Sequence, residues 1–219
     1  MDPAAYDAWY DTPRGRWIGD TEFELARRLL GPVSGETLLD VGCGTGWFTR
    51  RFAAEGIRVT GVDPNAEWLN FARRRSRGSD ISWVGGDARC LPFPQGRFDD
   101  VVSIAALCFI DDERAAVAEV IRVCRRRFVI GWLNRASLLY HEKAGRGAYA
   151  GARWRTAAEV HGLFDGLPIA NLKIRSGVFI PSGGFMGPIA DCLLSSRLPF
   201  GALLVAAGEA TQAAPAGAL

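Results

Sequence analysis

A chain of 219 residues, 48% hydrophobic and 23% charged, is long enough for one packed domain and too mixed for a fibrous or disordered polymer. Its formal net charge of +2 supplies no strong field for nucleic acid or an anionic membrane, and no apolar run approaches the ~20 residues of a membrane span. The five cysteines, at 43, 90, 108, 124 and 192, show no C-x-x-C or other metal-ligand spacing and read as reduced thiols of a cytoplasmic protein with no metal site.

Residues 1–19 crowd Tyr6, Trp9, Tyr10 and Trp17 together with Arg14 and Arg16. Pro13 and Gly15 are expected to interrupt any long helix there. The polar, aromatic start lacks the apolar core of a secretion signal. Thr21 to Glu24 fits a capping box, with Phe23, Ala26, Leu29 and Leu30 then repeating at helical spacing as far as Gly31 and Pro32. Thr37 to Val41 reads as a short buried strand. Gly42-Cys43-Gly44-Thr45-Gly46 follows at once, and then an amphipathic run from Trp47 to about Glu55. Strand, glycine turn, helix is the shape of a nucleotide-binding βα unit. Glycine lets the chain turn sharply and lets a ligand approach the main chain without meeting a Cβ. Asp40 sets a carboxylate beside that turn, which suits a ligand carrying a positive group better than a pyrophosphate alone.

The run from Asp40 to Gly46 (DVGCGTG) closely resembles the cofactor loop of class I S-adenosylmethionine-dependent methyltransferases, of the methyltransferase type 11 kind that act on small molecules. The dinucleotide fingerprint G-x-G-x-x-G would need a glycine where Trp47 stands, and the Gly-Lys-Ser/Thr of a P-loop is absent. The resemblance implies S-adenosylmethionine as cofactor and S-adenosylhomocysteine as product. It implies contacts from Asp40, Gly42, Cys43, Gly44, Thr45 and Trp47, and further along the chain from Pro64, Ala88 and Ala105.

Arg58 to Asp63 is the second strand, and Pro64 is expected at the first position of a helix reaching about Arg77. Asp63 lies roughly 20 residues beyond the glycine loop, where one carboxylate can accept hydrogen bonds from both hydroxyls of a ribose. It could also cap the following helix. Ile81 to Gly85 is the third strand, followed by Gly86-Asp87-Ala88 and a proline-fixed loop from Cys90 to Pro94. The resemblance gives Asp87 the adenine amino group and packs the next apolar residues on the base. Val101 to Leu107 is a buried fourth strand. Where related enzymes with small acceptors often carry a histidine or a Glu-His pair, this chain has Leu107-Cys108-Phe109-Ile110, and the Asn/Asp-Pro-Pro-aromatic signature of DNA methyltransferases is absent. Asp111 or Asp112 caps a helix through Val123. Arg125, Arg126 and Arg127 read as a solvated helix end that complements the dipole, and Phe128 to Leu133 as the fifth strand.

From Asn134 to Arg155 the pattern turns basic, aromatic and glycine-bearing, with Tyr140, His141, Tyr149, Arg153 and Trp154, and is expected to form a lid insert or a solvated helix and loop. Thr156 to Phe164 reads as a helix, Leu172 to Ile180 as the sixth strand, Ile189 to Ser196 as a helix, and Phe200 to Ala206 as the last strand. The expected architecture is a doubly wound, Rossmann-like α/β domain over residues 1–211, with helices on both faces of a mostly parallel seven-stranded sheet. Residues 1–19 form a flap, 134–155 a lid, and 212–219 a flexible tail. The resemblance makes the last strand antiparallel. The expected reaction is in-line methyl transfer to a small-molecule acceptor, with no nucleic acid and no membrane span. No catalytic residue follows from the motifs; Tyr10 and His141 are the candidates for taking a proton. A non-catalytic binder of the same cofactor is the alternative, and an NAD-dependent oxidoreductase a more distant one.

Overall fold

The computed structural model describes residues 2–182 and 186–211. The loop residues Gly183 and Gly184 and the tail 212–219 lie outside them. Eight helices and seven strands make up the described fold: α1 Pro3–Trp9, α2 Pro13–Leu30, β1 Thr37–Val41, α3 Trp47–Ala54, β2 Arg58–Asp63, α4 Ala66–Arg75, β3 Ser82–Gly85, β4 Phe98–Ile104, α5 Glu113–Val123, β5 Cys124–Leu133, α6 Leu138–Lys143, α7 Ala157–Gly162, β6 Ile169–Gly177, α8 Met186–Leu193 and β7 Leu203–Ala210.

The strands form one sheet in the order β3-β2-β1-β4-β5-β7-β6. Strands β1 to β5 run parallel to one another, and β7 runs antiparallel to both β5 and β6. Alternation along the central strands feeds two cores. Leu38, Val102, Ile104 and Val129 join Phe23, Ala26 and Leu30 of α2 and Phe52 of α3 on one face. Leu39, Val41, Val101, Phe128 and Ile130 join Ala116, Val117 and Val120 of α5 and Val160 of α7 on the other. Burial on both faces is why these strands read as continuous apolar runs. The order of strands reverses at β1 and β4, so the carboxyl ends of β1, β2 and β4 open onto the crevice where sheets of this kind take ligands.

Several local expectations are corrected. Pro13 opens a long helix instead of breaking one: Thr12 caps it by accepting from the Gly15 N–H at 3.0 Å, and proline suits the first turn. Gly15 is required inside that helix because a Cβ would lie 2.0 Å from the Trp9 carbonyl oxygen. Thr21 is therefore mid-helix and caps nothing. Pro64 precedes its helix; Asn65 is the cap, accepting from the Glu67 and Trp68 N–H groups. Leu107 lies in a 3-10 turn beyond β4. The sixth strand, the late helix and the last strand sit a few residues from their expected bounds.

The arginine run is no helix end. Arg125, Arg126 and Arg127 lie in β5 and meet acids at the amino ends of the strands. Arg125 pairs with Asp99 and Arg126 with Glu36. Arg127 grips the buried Asp100 through two nitrogens at 2.8 Å and reaches Glu36 and the Gly31 carbonyl, each at 2.6 Å. No helix among the described residues is long and apolar enough to cross a membrane.

Candidate functional site

A cavity of about 680 Å³ opens over the carboxyl ends of β1, β2 and β4, within the range of about 300–1,000 Å³ that small-molecule sites occupy. Its floor is the glycine loop. Gly42, Gly44 and Gly46 all have positive φ, at 73°, 54° and 76°. Added side chains would collide with what the loop packs on: a Cβ at Gly46 would lie 2.2 Å from the Trp83 ring, and one at Gly42 2.3 Å from the Ala106 Cβ. The Gly42 and Cys43 N–H groups donate to the Val62 carbonyl, and the Gly44 N–H donates to Asp63 Oδ2 at 2.9 Å. The loop is thereby fixed to the end of β2.

Gly42, Cys43, Gly44, Thr45, Trp47, Asp63, Pro64, Asp87, Ala88 and Ala105 all line this one cavity. Asp40 does not. It is buried beneath the loop, where Thr49 Oγ1 donates to its Oδ2 at 2.5 Å. Burial, helped by Asp63 and opposed by that hydrogen bond, pushes its carboxyl up to about 7. Asp63 accepts one N–H on each oxygen, from Asn65 at 2.8 Å and Gly44. Burial raises its pKa and these two donors oppose the rise. About two of the four lone-pair sites of a carboxylate are so used, leaving capacity for two hydroxyl donors. Asp87 is already engaged: the Arg89 guanidinium forks onto it at 3.0 and 2.6 Å and holds its carboxyl at about 2. Ala105 takes a φ of 50°, rare for a residue with a Cβ, at the end of β4 where the backbone bends over the cavity.

The two proton-acceptor candidates part company. His141 is exposed on α6, its ring against Tyr140, and is not part of the cavity wall. Tyr10 is in the wall, stacked on Trp47 with ring centroids 4.3 Å apart. Burial first, and then the neighbouring Tyr6, push its phenol well above the ordinary value of 10, so it stays protonated through neutral pH. Arg153, from the basic insert, is turned away to the Ile110 carbonyl and to Asp111.

Tyr6, from the aromatic segment 1–19, lies beside Tyr10 with their hydroxyls 3.4 Å apart, and Gly147 and Ala148 come from the segment 134–155; Trp68, Phe109 and Ile110, which complete the wall, were not expected there. Helix α1 is tied to the floor through Arg50, which donates to Asp7 at 2.8 Å and to the Thr45 carbonyl at 2.7 Å.

Comparison with known proteins agrees with the motif. Residues 39–129 match the family model for the methyltransferase domain. An uncharacterized protein of Mycobacterium tuberculosis (strain H37Rv) is 40% identical over 169 residues, covering 74% of this chain and 56% of that one. Malonyl-[acyl-carrier protein] O-methyltransferase of Serratia marcescens is 38% identical over 110 residues, 49% of this chain and 42% of that one. The chain thus spans about half the length of the curated relatives it matches. Among solved structures, a SAM-dependent methyltransferase from Thermotoga maritima superposes with a TM-score of 0.73 at 23% identity, covering 94% of this chain and 95% of that one. The fold is thus shared with that methyltransferase, and residues 39–129 are similar in sequence to the methyltransferase domain.

Proposed function

We propose that this chain binds S-adenosylmethionine in the cavity above β1, β2 and β4 and transfers its methyl group to a small-molecule acceptor. The observation that carries the reading is the pairing of Asp63 with the glycine loop. A carboxylate with spare acceptor capacity stands at the rim of a cradle that has no room for side chains, which fits a ribose with its backbone-hugging tail. The residues present fit the cofactor in other ways. Trp68 offers an aromatic face, Ala88 a small apolar wall, and the bent backbone at Ala105 a close approach.

S-adenosylmethionine would supply a methyl group already activated by its sulfonium. What remains for the protein is alignment and exclusion of water. Asp63 and the loop would hold the donor in one orientation. Tyr6, Tyr10 and Phe109 would press on the acceptor and dry the space between. Residues 1–19 are the proposed flap and residues 134–155 the proposed lid of a single domain covering residues 1–211. Isothermal titration calorimetry tests the core of this reading: S-adenosylhomocysteine should bind at low-micromolar affinity or better, and NAD should not. Absence of heat with both S-adenosylmethionine and S-adenosylhomocysteine would refute it. Limited trypsin digestion tests the closing segments, since cleavage at Arg14, Arg16 and between Lys143 and Arg155 should slow when S-adenosylhomocysteine is added.

A second reading, cofactor binding without turnover, draws on the apolar Phe109 and Ile110 in the wall where a histidine would serve as base. Incubation of the protein with labelled S-adenosylmethionine and cell extract separates the two: transferred label supports catalysis.

A further inference from the structure

Helix α1 and its cap residue put Tyr6 and Tyr10 into the cavity wall. Between them in sequence stands Asp7, which does not line the cavity and is only 5% exposed. A carboxylate so enclosed costs stability unless cations meet it. Two do. Arg50 of α3 donates from Nη2 to its Oδ1 at 2.8 Å, and Arg75, at the end of α4, donates from Nε to its Oδ2 at 3.4 Å. The aromatic contacts of the roof come from the same two helices: Tyr10 stacks on Trp47 of α3, and the Tyr6 ring lies 5.0 Å from that of Trp68 on α4. The roof is thus seated on α3 and α4, with Asp7 as its charged pin.

Arg50 does more than neutralise that pin. Its other terminal nitrogen, Nη1, donates to the Thr45 carbonyl at 2.7 Å, inside the glycine loop. The guanidinium is a rigid plane, so its two nitrogens cannot move independently, and a lysine has no fork with which to hold both oxygens in that geometry. The loop is held from a second side by the bond from the Gly44 N–H to Asp63. Thr45 stands between Gly44 and Gly46, both at positive φ, where the backbone is free to change course once its carbonyl is released. Neither Arg50 nor Asp7 is part of the cavity wall. Both border a separate hollow of about 300 Å³, of whose lining residues, among those described, Trp47 alone also lines the cavity. Resting on the cofactor reading above, we propose that Asp7 and Arg50 are positioning residues for the methyl donor: Arg50 couples the seating of α1 to the shape of the glycine loop, so that the loop takes S-adenosylmethionine at full affinity only while the roof is in place. The coupling is reciprocal, and the cofactor that shapes the loop also holds the roof down.

The test is a double-mutant cycle in the full chain, read by calorimetry with S-adenosylhomocysteine. Asp7→Ala removes the pin, and Arg50→Lys keeps the charge without the fork. Each should weaken binding about tenfold, the scale of one charge-assisted hydrogen bond, and the double variant should be no weaker than about tenfold, because both changes cut the same link. At saturating S-adenosylhomocysteine, trypsin should cut both single variants at Arg14 and Arg16 faster than it cuts the wild-type complex. Glu36→Gln, which weakens the ion pairs to Arg126 and Arg127 at the opposite rim, is the control for stability. It should lower the melting temperature and leave the affinity at the wild-type value. Affinities of the single variants within twofold of wild type, losses that simply multiply in the double variant, unchanged trypsin protection, or an equal loss of affinity in Glu36→Gln would each overturn the proposal. Should Asp7→Ala not fold, Arg50→Lys decides by itself. Failure of the wild-type chain to bind S-adenosylhomocysteine would instead strike the cofactor reading beneath it.

Discussion

The floor and the roof of the cavity are built by opposite means. The floor is main chain: three glycines at positive φ, N–H groups turned toward Val62 and Asp63, and a backbone bend at Ala105. The roof is side chain: Tyr6, Tyr10, Trp47 and Phe109, brought together from α1, α3 and the turn after β4. A main-chain site tolerates almost no substitution, because a Cβ has nowhere to go. A side-chain site can change its clientele one residue at a time without touching the floor.

The sharpest way to break this contrast is to put methyl groups into the floor. Gly46→Ala must adopt a left-handed conformation, costing about 1–2 kcal/mol, and displace the Trp83 ring, a packing cost of about 1–3 kcal/mol. Binding of S-adenosylhomocysteine should be lost and thermal stability should fall clearly. Gly44→Ala, whose Cβ would meet only the edge of Trp68 at 3.1 Å, should be milder on both counts. Equal behaviour of the two variants in calorimetry and melting would refute the account of the loop.

Asp63→Ala comes next. It removes a charged acceptor from the Gly44 N–H and from the proposed ribose contact. Affinity for S-adenosylhomocysteine should drop by roughly 2–4 kcal/mol with the fold retained. An affinity within twofold of wild type would show that the ribose lies elsewhere.

A pH experiment addresses helix α2. Glu22 has a folded pKa of about 8 against an ordinary 4.5, so between those values the folded state holds a proton that the unfolded chain has lost. Stability from this group is full below about 4.5 and declines as pH rises toward about 8. Glu22→Gln removes the decline. Its melting temperature should draw ahead of wild type between pH 5 and 8.5, by about 2–4 °C for each 1 kcal/mol in a chain of this size. Parallel curves would mean that Glu22 is ordinarily solvated.

The smallest effect is expected at Arg89. Its fork occupies the Asp87 carboxylate, to which the resemblance gives the adenine amino group. Arg89→Ala should tighten S-adenosylhomocysteine binding only slightly, as expected of an exposed ion pair. A pronounced loss in calorimetry would instead make Arg89 a direct contact of the ligand.

The same contrast explains what the sequence revealed. Gly42 to Gly46 and Asp63 are legible because backbone geometry demands particular residue types at particular spacings. The mostly parallel, doubly wound sheet followed from the same βα logic. The run of Arg125 to Arg127 misled because a charge cluster reads as solvent-facing, and only the sheet brings Glu36, Asp99 and Asp100 within reach of it. Asp40 is adjacent to the loop in sequence, but strand alternation and Thr49 draw its carboxyl underneath, out of the cavity wall. The length of α2 was hidden because the role of Gly15 depends on a carbonyl six residues earlier.

Arg127 has a mechanical consequence. By gripping the Gly31 carbonyl it pins the far end of α2 to the rim of the sheet opposite the cavity. An α-helix rises 1.5 Å per residue, so the 18 residues of α2 form an arm about 27 Å long. A tilt of about 5° around that pin carries the cap at Thr12 through roughly 2 Å and Glu22, near mid-arm, through about half as far. Any such tilt of α2 would thus turn about a point on the other side of the molecule, held by a residue that is no part of the cavity wall.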